Sequence, residues 1–414
     1  MTEILFLSAL AVMWTLVLYT VVLTLAAYTY WRRRRLTRWL DPHVRLPDFV
    51  CPSVSVIIPA HNEARVIERS LRILLAADYP RDRLEIVVVN DASTDDTGEI
   101  CRRLASEDAR ILLIDVPFAE GGTGKSAALN RGLAHCRHPF IAVYDADNRP
   151  LPSAIRLLMA ELVVGGHDAV VGGISKVNRG RTLLNRFAAL EFSAFQWILQ
   201  GGRAQLFDLV LLPGTNFAIR RTAVEGVGGW DPHALTEDLE LSIRLYAAGH
   251  RIAFVPEAVA EEQDPEELRV WLRQRMRWVV GNFYAARKHL GPTLRAPDLR
   301  LVAELLSLAF GQILFLLALL ASDALFVGGI VRALHLDVAG PFTALWILAF
   351  LLFVASMLLT QAFEGQDTWK TPFLAGLMYV SYTQLWIYVA LRGLVTYVTK
   401  GGRLAWEKTP RFHD

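Results

Sequence analysis

Four groups of side chains in this 414-residue chain have types and spacings suited to a charged, phosphate-bearing substrate. Asp145-Ala146-Asp147 places two carboxylates on the same side of a segment expected to be extended. Hard oxygen ligands at that spacing suit Mg2+ or Mn2+ bridging a diphosphate. Such a metal would take up negative charge on a departing nucleoside diphosphate. Thr236-Glu237-Asp238 opens the helical stretch Leu239–Ala248. Helix capping and the helix dipole account for acidic residues there. The chemical reading makes one carboxylate a general base, because a sugar hydroxyl must lose its proton as it attacks an anomeric carbon. Gln274, Arg275, Arg277 and Trp278 lie in a helical pattern with Trp271 and Met276. Arg and Trp favour a membrane-surface helix. The same arginines can bind a diphosphate through two donors each, and Trp278 offers a flat apolar face to a sugar ring.

The fourth group leaves a strand at Asn90-Asp91 and enters a helix through Ala92-Ser93-Thr94-Asp95-Asp96. Ser93 or Thr94 is expected to cap that helix. Asp91, expected one residue past the strand, could accept hydrogen bonds from a nucleotide base or ribose. Gly121-Gly122-Thr123-Gly124-Lys125-Ser126 resembles a phosphate-binding loop. Ala119 stands where the pattern needs glycine, however, and the segment follows the third strand, not the first. A glycine turn leading into a helix, with Lys125 near a diphosphate, fits better.

These groups need a scaffold. Val54–Ile58, Leu84–Val89, Ile111–Val116 and Phe140–Tyr144 read as strands, with helices over Glu63–Ala76, Thr94–Ala105 and Lys125–Ala134. The alternation predicts a mostly parallel sheet with helices on both faces. Ligands bind at the carboxyl ends of such strands, where His61-Asn62-Glu63, Asp91 and Asp145-Ala146-Asp147 all fall.

Apolar segments flank this scaffold. Ile4 to Trp31 is long enough to span a bilayer, and Arg32, Arg33, Arg34, Arg35 and Arg38 follow it. Positive charge after the span puts residue 32 onward in the cytoplasm and argues against a cleaved signal peptide. Leu301–Val331, Pro341–Gln361 and Phe373–Thr396 are further candidate spans. Glu304, Gln312, Asp323 and Arg392 within them could line a passage, or Glu304 and Arg392 sit near helix ends and reach the interface. Three spans after a cytoplasmic domain leave the C-terminus outside. Lys400, Arg403, Lys408 and Arg411 favour the inside, so the topology of the tail stays open.

The bulk numbers agree with this segregation. Hydrophobic residues make up 53% while 20% are charged, so the two kinds must be separated along the chain. A net charge of +2 argues against nucleic-acid binding. Cys51, Cys101 and Cys136 show no metal-site spacing and fit a reduced, cytosolic catalytic region.

In this order, over roughly residues 51 to 280, the motifs resemble the membrane-embedded inverting glycosyltransferases of family 2. That branch includes cellulose, chitin, hyaluronan and poly-N-acetylglucosamine synthases. Thr-Glu-Asp paired with Gln-Arg-x-Arg-Trp carries the resemblance. It implies a GT-A-type α/β domain and a UDP-sugar donor bound by Pro59, His61, Glu63, Asp91, Lys125, Asp145, Asp147, Gln274, Arg275 and Arg277. Asp91 would bind the uridine part. Asp145 and Asp147 would hold Mg2+ or Mn2+. Asp238 would be the catalytic base, with Glu237 nearby. Gly214, Thr215, Asn216 and Trp278 would meet the acceptor. His61 departs from the family, since many relatives carry an aromatic residue there.

The expected organisation is a transmembrane helix over 1–31, a basic linker over 32–50 and a GT-A domain over 51–265. Interfacial helices over 266–298, a membrane region of about three helices over 299–399 and a basic tail over 400–414 complete it. The resemblance implies a multi-pass protein of the cell membrane, its catalytic domain cytoplasmic, in contact with membrane lipids. It would extend a polysaccharide processively and pass it through its own membrane region. The Gln-x-x-Arg-Trp pattern also occurs in ceramide glucosyltransferase-like enzymes, so single transfer to a lipid acceptor is the alternative. A remote third reading is an inactive nucleotide-binding membrane scaffold.

Overall fold

The computed structural model describes residues 2–38, 41–178, 181–295, 298–311, 340–366 and 368–400, with Ile313, Leu314, Leu317, Ala318, Leu320 and Ala321. Two compact units emerge. One is drawn from Met1–Trp31, Arg186–Leu206 and Arg275–Gly402, the other from Arg32–Asn185 and Phe207–Gln274. The second unit thus takes in the basic linker. There Arg34 pairs with Glu161 and Glu257, and the buried Arg156 pairs with Asp48 and donates to the Leu46 carbonyl.

The second unit is built on one eight-stranded mixed sheet. Its strands are β1 (Val54–Ala60), β2 (Leu84–Asp91), β3 (Ile111–Val116), β4 (Phe140–Val143), β5 (Arg149–Pro150), β6 (Ala169–Lys176), β7 (Phe217–Arg220) and β8 (Ile252–Glu262). Their order is β3-β2-β1-β4-β7-β6-β8-β5. The first four run parallel, and β7 enters antiparallel between β4 and β6. Every residue of β2 is buried, so both faces of the sheet are covered. That is why β1 and β2 read as continuous β-branched runs without polar alternation. Val54 is level with both Leu84 and Phe140, so β1, β2 and β4 start in line. Their carboxyl ends therefore reach one edge, which gathers His61, Asp91 and Asp145.

Three local expectations fail. Asp145–Asp147 is a turn, not an extended segment: the Asn148 N–H donates to the Asp145 carbonyl at 3.0 Å, and the Asn148 side-chain oxygen accepts from the Asp145 N–H at 2.9 Å. The helix after β2 begins at Thr97, and neither Ser93 nor Thr94 caps it. Asp95 accepts from the Thr97 N–H instead, while the Ser93 hydroxyl accepts from the Asn62 N–H. A tertiary partner has won over the local one. Asp91, for its part, is the last residue of β2 and not one beyond it.

Between β6 and β8 the register slips at Gly172/Gly173. Asn216, at φ 48°, inserts its amide there and donates to the carbonyls of Gly173 at 2.7 Å and Ala258 at 2.8 Å. A Cβ on Gly172 would stand 2.2 Å from the Ala258 oxygen and 2.3 Å from the Asn216 amide nitrogen.

Three apolar stretches among the described residues are long enough to cross a membrane: Glu3–Arg35, Phe342–Glu364 and Thr371–Thr399. A break at Ser381 divides the last into Thr371–Val380 and Tyr382–Lys400. Leu23, Ile198, Met357 and Ala375 form a shared core. Of the expected span Leu301–Val331, the described part is the helix Leu299–Leu306 followed by a wide π-helical turn, Ser307–Gly311. Gln312 and Asp323 lie outside the described residues, as does the tail beyond Lys400. Glu304 is buried and pairs with Arg203 at 3.0 Å, so it faces protein and does not reach for an interface.

Gly172→Ala should lower stability by roughly 1–3 kcal/mol, because backbone and a buried amide must move to admit the methyl group. Thermal unfolding of the purified full chain measures this. An unchanged midpoint would show that the bulge yields freely.

Candidate active site

Lys125 is the first residue of the helix Lys125–His135, delivered by a glycine turn in which Gly122 and Gly124 take φ of 72° and 101°. Only glycine holds such angles without strain. The Lys125 ammonium lies 2.7 Å from Asp145 Oδ1 and 3.4 Å from Glu237 Oε1, and donates to the Gly214 carbonyl at 2.7 Å. Burial opposes its charge, but Asp145 and Glu237 outweigh that and hold its pKa above the ordinary lysine value.

Asp238 follows Glu237 in the first turn of the helix Glu237–Ala247. Burial raises its pKa to about 7, and the neighbouring Glu237 charge adds to the rise. Lys125 and the Leu239 N–H, which donates to Asp238 Oδ1 at 2.8 Å, work in the opposite direction. Gly214, at φ 85°, comes so close that a Cβ there would stand 3.0 Å from Asp238 Oδ2. Thr236 does not cap this helix, and its buried hydroxyl finds no hydrogen-bond partner among the described residues.

The Asp145 turn is tied to the Gly214 segment. Thr215 Oγ1 accepts from the Asp145 N–H at 2.9 Å and also bonds the Asn148 amide oxygen. Asp147 is 2% exposed and its Oδ2 accepts from the Gln263 N–H at 3.4 Å. The two carboxylates of the motif are thus held by different partners.

At the end of β2, Asp91 Oδ1 accepts from the Gly122 N–H at 3.1 Å and lies 3.6 Å from Arg131. His61 Nδ1 stands 2.6 Å from the Asp91 carbonyl. A carbonyl only accepts, so Nδ1 carries the proton and Nε2 receives the Asn62 amide at 3.1 Å. Pro59 lies within β1. The Glu63 N–H donates to Thr97 Oγ1 at 2.7 Å, bracing the loop after β1 against the loop after β2.

The Gln274–Trp278 segment is part of the helix Leu268–Arg295. Gln274 belongs to the second unit, and Arg275, Arg277 and Trp278 to the first. Arg275 is 1% exposed and grips Glu191 with Nη2 at 2.6 Å and Nε at 3.2 Å. Its guanidinium carbon lies 4.0 Å from the centre of the Trp278 ring. Arg277 and Trp278 are half-buried.

The model of the family described as "Glycosyltransferase like family 2" matches residues 52–281, the span that holds every group named so far. The chain belongs to glycosyltransferase family 2. It is similar to the "Probable glycosyltransferase YdaM" of Bacillus subtilis, at 38% identity over all of this chain and 99% of that protein. A poly-beta-1,6-N-acetyl-D-glucosamine synthase of Staphylococcus aureus is 25% identical over 55% of this chain and 54% of its own. Among solved structures, the mannosyltransferase PcManGT from Pyrobaculum calidifontis shares the GT-A-like fold. Its TM-score is 0.56 at 22% identity, covering 92% of this chain and 99% of that one.

In this glycosyltransferase the structure brings Lys125, Asp145, Gly214, Glu237 and Asp238 together. Several supporting residues carry no sequence signature. Asn148, which shapes the Asp145 turn, follows its partner by three residues and is the one such signal that local reading can find. Arg131, Gln263 and Glu191 contact site residues only through the fold.

Asp238 should titrate with a midpoint near pH 7, protonated below it and a carboxylate above. Lys125→Met should move the midpoint upward, because the ammonium stabilises the carboxylate. Infrared difference spectra can follow the carboxylic-acid band that Asp238→Asn abolishes. A band already lost at pH 5 would refute the assignment.

Proposed function

We propose that this protein is an inverting, metal-dependent glycosyltransferase that moves a sugar from a UDP-sugar to a growing glycan at the membrane. The observation that carries the reading is Asp238, a half-buried carboxylate at the family's Thr-Glu-Asp position that lies against Gly214 and whose pKa is raised to about 7. A base is most effective when its pKa lies near the working pH. In the proposed step Asp238 takes the proton of the acceptor hydroxyl as that oxygen bonds to the anomeric carbon. The bond from that carbon to the diphosphate breaks on the opposite face, and UDP leaves. Glu237 and Lys125 set the charge around the base.

The donor groups fit a divalent cation. Among the described residues no three or more His, Cys, Asp or Glu side chains cluster to hold a metal alone. Asp145 and Asp147 offer hard oxygens, and a diphosphate and water would complete the shell, as Mg2+ and Mn2+ commonly require. When bound, the ion would neutralise charge on the leaving diphosphate. Asp91, Pro59, His61 and Glu63 are assigned to the nucleoside. Gln274 and Arg277 are assigned to the diphosphate. Gly214, Thr215 and Trp278 are assigned to the acceptor; Asn216, expected beside them, is instead fully buried with its amide spent on the Gly173 and Ala258 carbonyls, and holds the loop that carries Gly214 and Thr215.

The similarity to poly-N-acetylglucosamine synthases supports chain extension over single transfer to a lipid. The three apolar stretches support membrane association. Arg32–Arg35 after the first stretch supports a cytoplasmic catalytic unit.

Asp238→Asn should cut turnover by about 10²–10⁴-fold, the usual contribution of a positioned base. UDP binding should persist, since the shape is kept. Turnover can be followed with labelled UDP-glucose, UDP-N-acetylglucosamine and UDP-glucuronate. Normal turnover in the variant would end the base assignment. Sizing the wild-type product decides the acceptor: a ladder of long glycans is expected, and a lone monoglycosylated lipid would replace chain extension with lipid transfer.

A further inference from the structure

Glu191, on the helix Leu183–Ala194, belongs to none of the family motifs, yet four donors converge on it. Its Oε2 accepts from Arg275 Nη2 at 2.6 Å, from Arg275 Nε at 3.2 Å and from the Tyr382 hydroxyl at 2.9 Å. Its Oε1 accepts from the Trp386 indole N–H at 2.6 Å. Tyr382 and Trp386 stand one turn apart on the helix Tyr382–Lys400, so that helix holds the carboxylate from one side while Arg275 holds it from the other. Beyond Arg275 comes Trp278, its ring centre 4.0 Å from the guanidinium carbon.

We propose that Glu191 is a positioning residue for Trp278, acting through Arg275. The proposal rests on the reading of Trp278 as an acceptor-binding platform. Two edge donors of Arg275 are fixed by one carboxylate oxygen, which sets the plane of the guanidinium. A guanidinium stacked on an indole in turn limits the tilt of the ring. Trp278 is half-buried, so part of its surface stays open to a sugar while the rest is held. Stability alone gives little reason for the arrangement, because a buried ion pair is often no more stabilising than apolar packing of similar volume. A fixed ring orientation is a reason that apolar packing does not supply. Arg275 is thereby assigned to the ring and not directly to the diphosphate.

The test uses the full chain in native membranes with the UDP-sugar that the wild type turns over. Two products are counted: sugar incorporated into the glycan or lipid, and UDP released. Glu191→Gln removes the Glu191 charge from beside Arg275. UDP binding should stay within twofold of wild type. Incorporation per UDP released should fall about tenfold, the order expected when a charge-assisted hydrogen bond is lost. The missing sugar should appear free, water having replaced the acceptor. In a Trp278→Ala background, Glu191→Gln should add little, because the two act in series.

An unchanged ratio in Glu191→Gln, an equal loss of UDP binding and incorporation, or independent effects of the two substitutions would overturn the proposal. If Glu191→Gln does not accumulate, Tyr382→Phe removes one hydrogen bond to the same oxygen. It should lower the ratio about two- to threefold, and no change would count equally against the role. A wild type that turns over no UDP-sugar fails differently, because it removes the transferase reading before any variant is compared.

Discussion

A half-buried ammonium among carboxylates organises the catalytic unit. Lys125 cannot stay charged away from water unless negative groups surround it. Asp145 comes from the turn after β4, Glu237 from the start of a helix, and the Gly214 carbonyl from the loop before β7. One cation thus fixes three distant pieces of chain. It also moderates Asp238, which burial and Glu237 would otherwise drive further from ionisation. The sheet register, the glycine turn and the helix start all serve to deliver this one contact.

The legible parts of the fold were those with local causes. The first four strands could be read because each is a short apolar run closed by turn residues, and β1, β2 and β4 are buried on both faces. The mixed half of the sheet could not. Phe217–Arg220 is four residues long and pairs antiparallel with β4 and β6, a choice no local pattern announces. Capping at Ser93 and Thr94 was a sound local expectation defeated by Asn62, which takes both residues from 31 or 32 positions away. The turn at Asp145 needed Asn148 and Thr215 together. The residues of the candidate site could be picked out by type, because carboxylates at strand ends and helix starts and a basic aromatic helix stand out in the sequence. The groups that orient them were hidden by distance. Glu191 meets its partners 84, 191 and 195 residues away.

Two ion pairs in the first unit follow one rule. Charges placed among apolar helices are costly unless they face protein and are paired. Arg203 with Glu304, and Arg275 with Glu191, obey it. The expectation that Glu304 reaches out of its helix end overlooked a partner on a helix about a hundred residues earlier.

Gly214 has a wider consequence. Its backbone angle excludes ordinary side chains, and the space beside it is already taken by the Asp238 oxygen and the Lys125 ammonium. Two independent restrictions fall on one position, and relieving either leaves the other. In a drifting lineage such a site is nearly frozen. Any side chain introduced at position 214 must meet both restrictions at once, so variation around this contact has to enter at neighbouring residues and not at 214 itself.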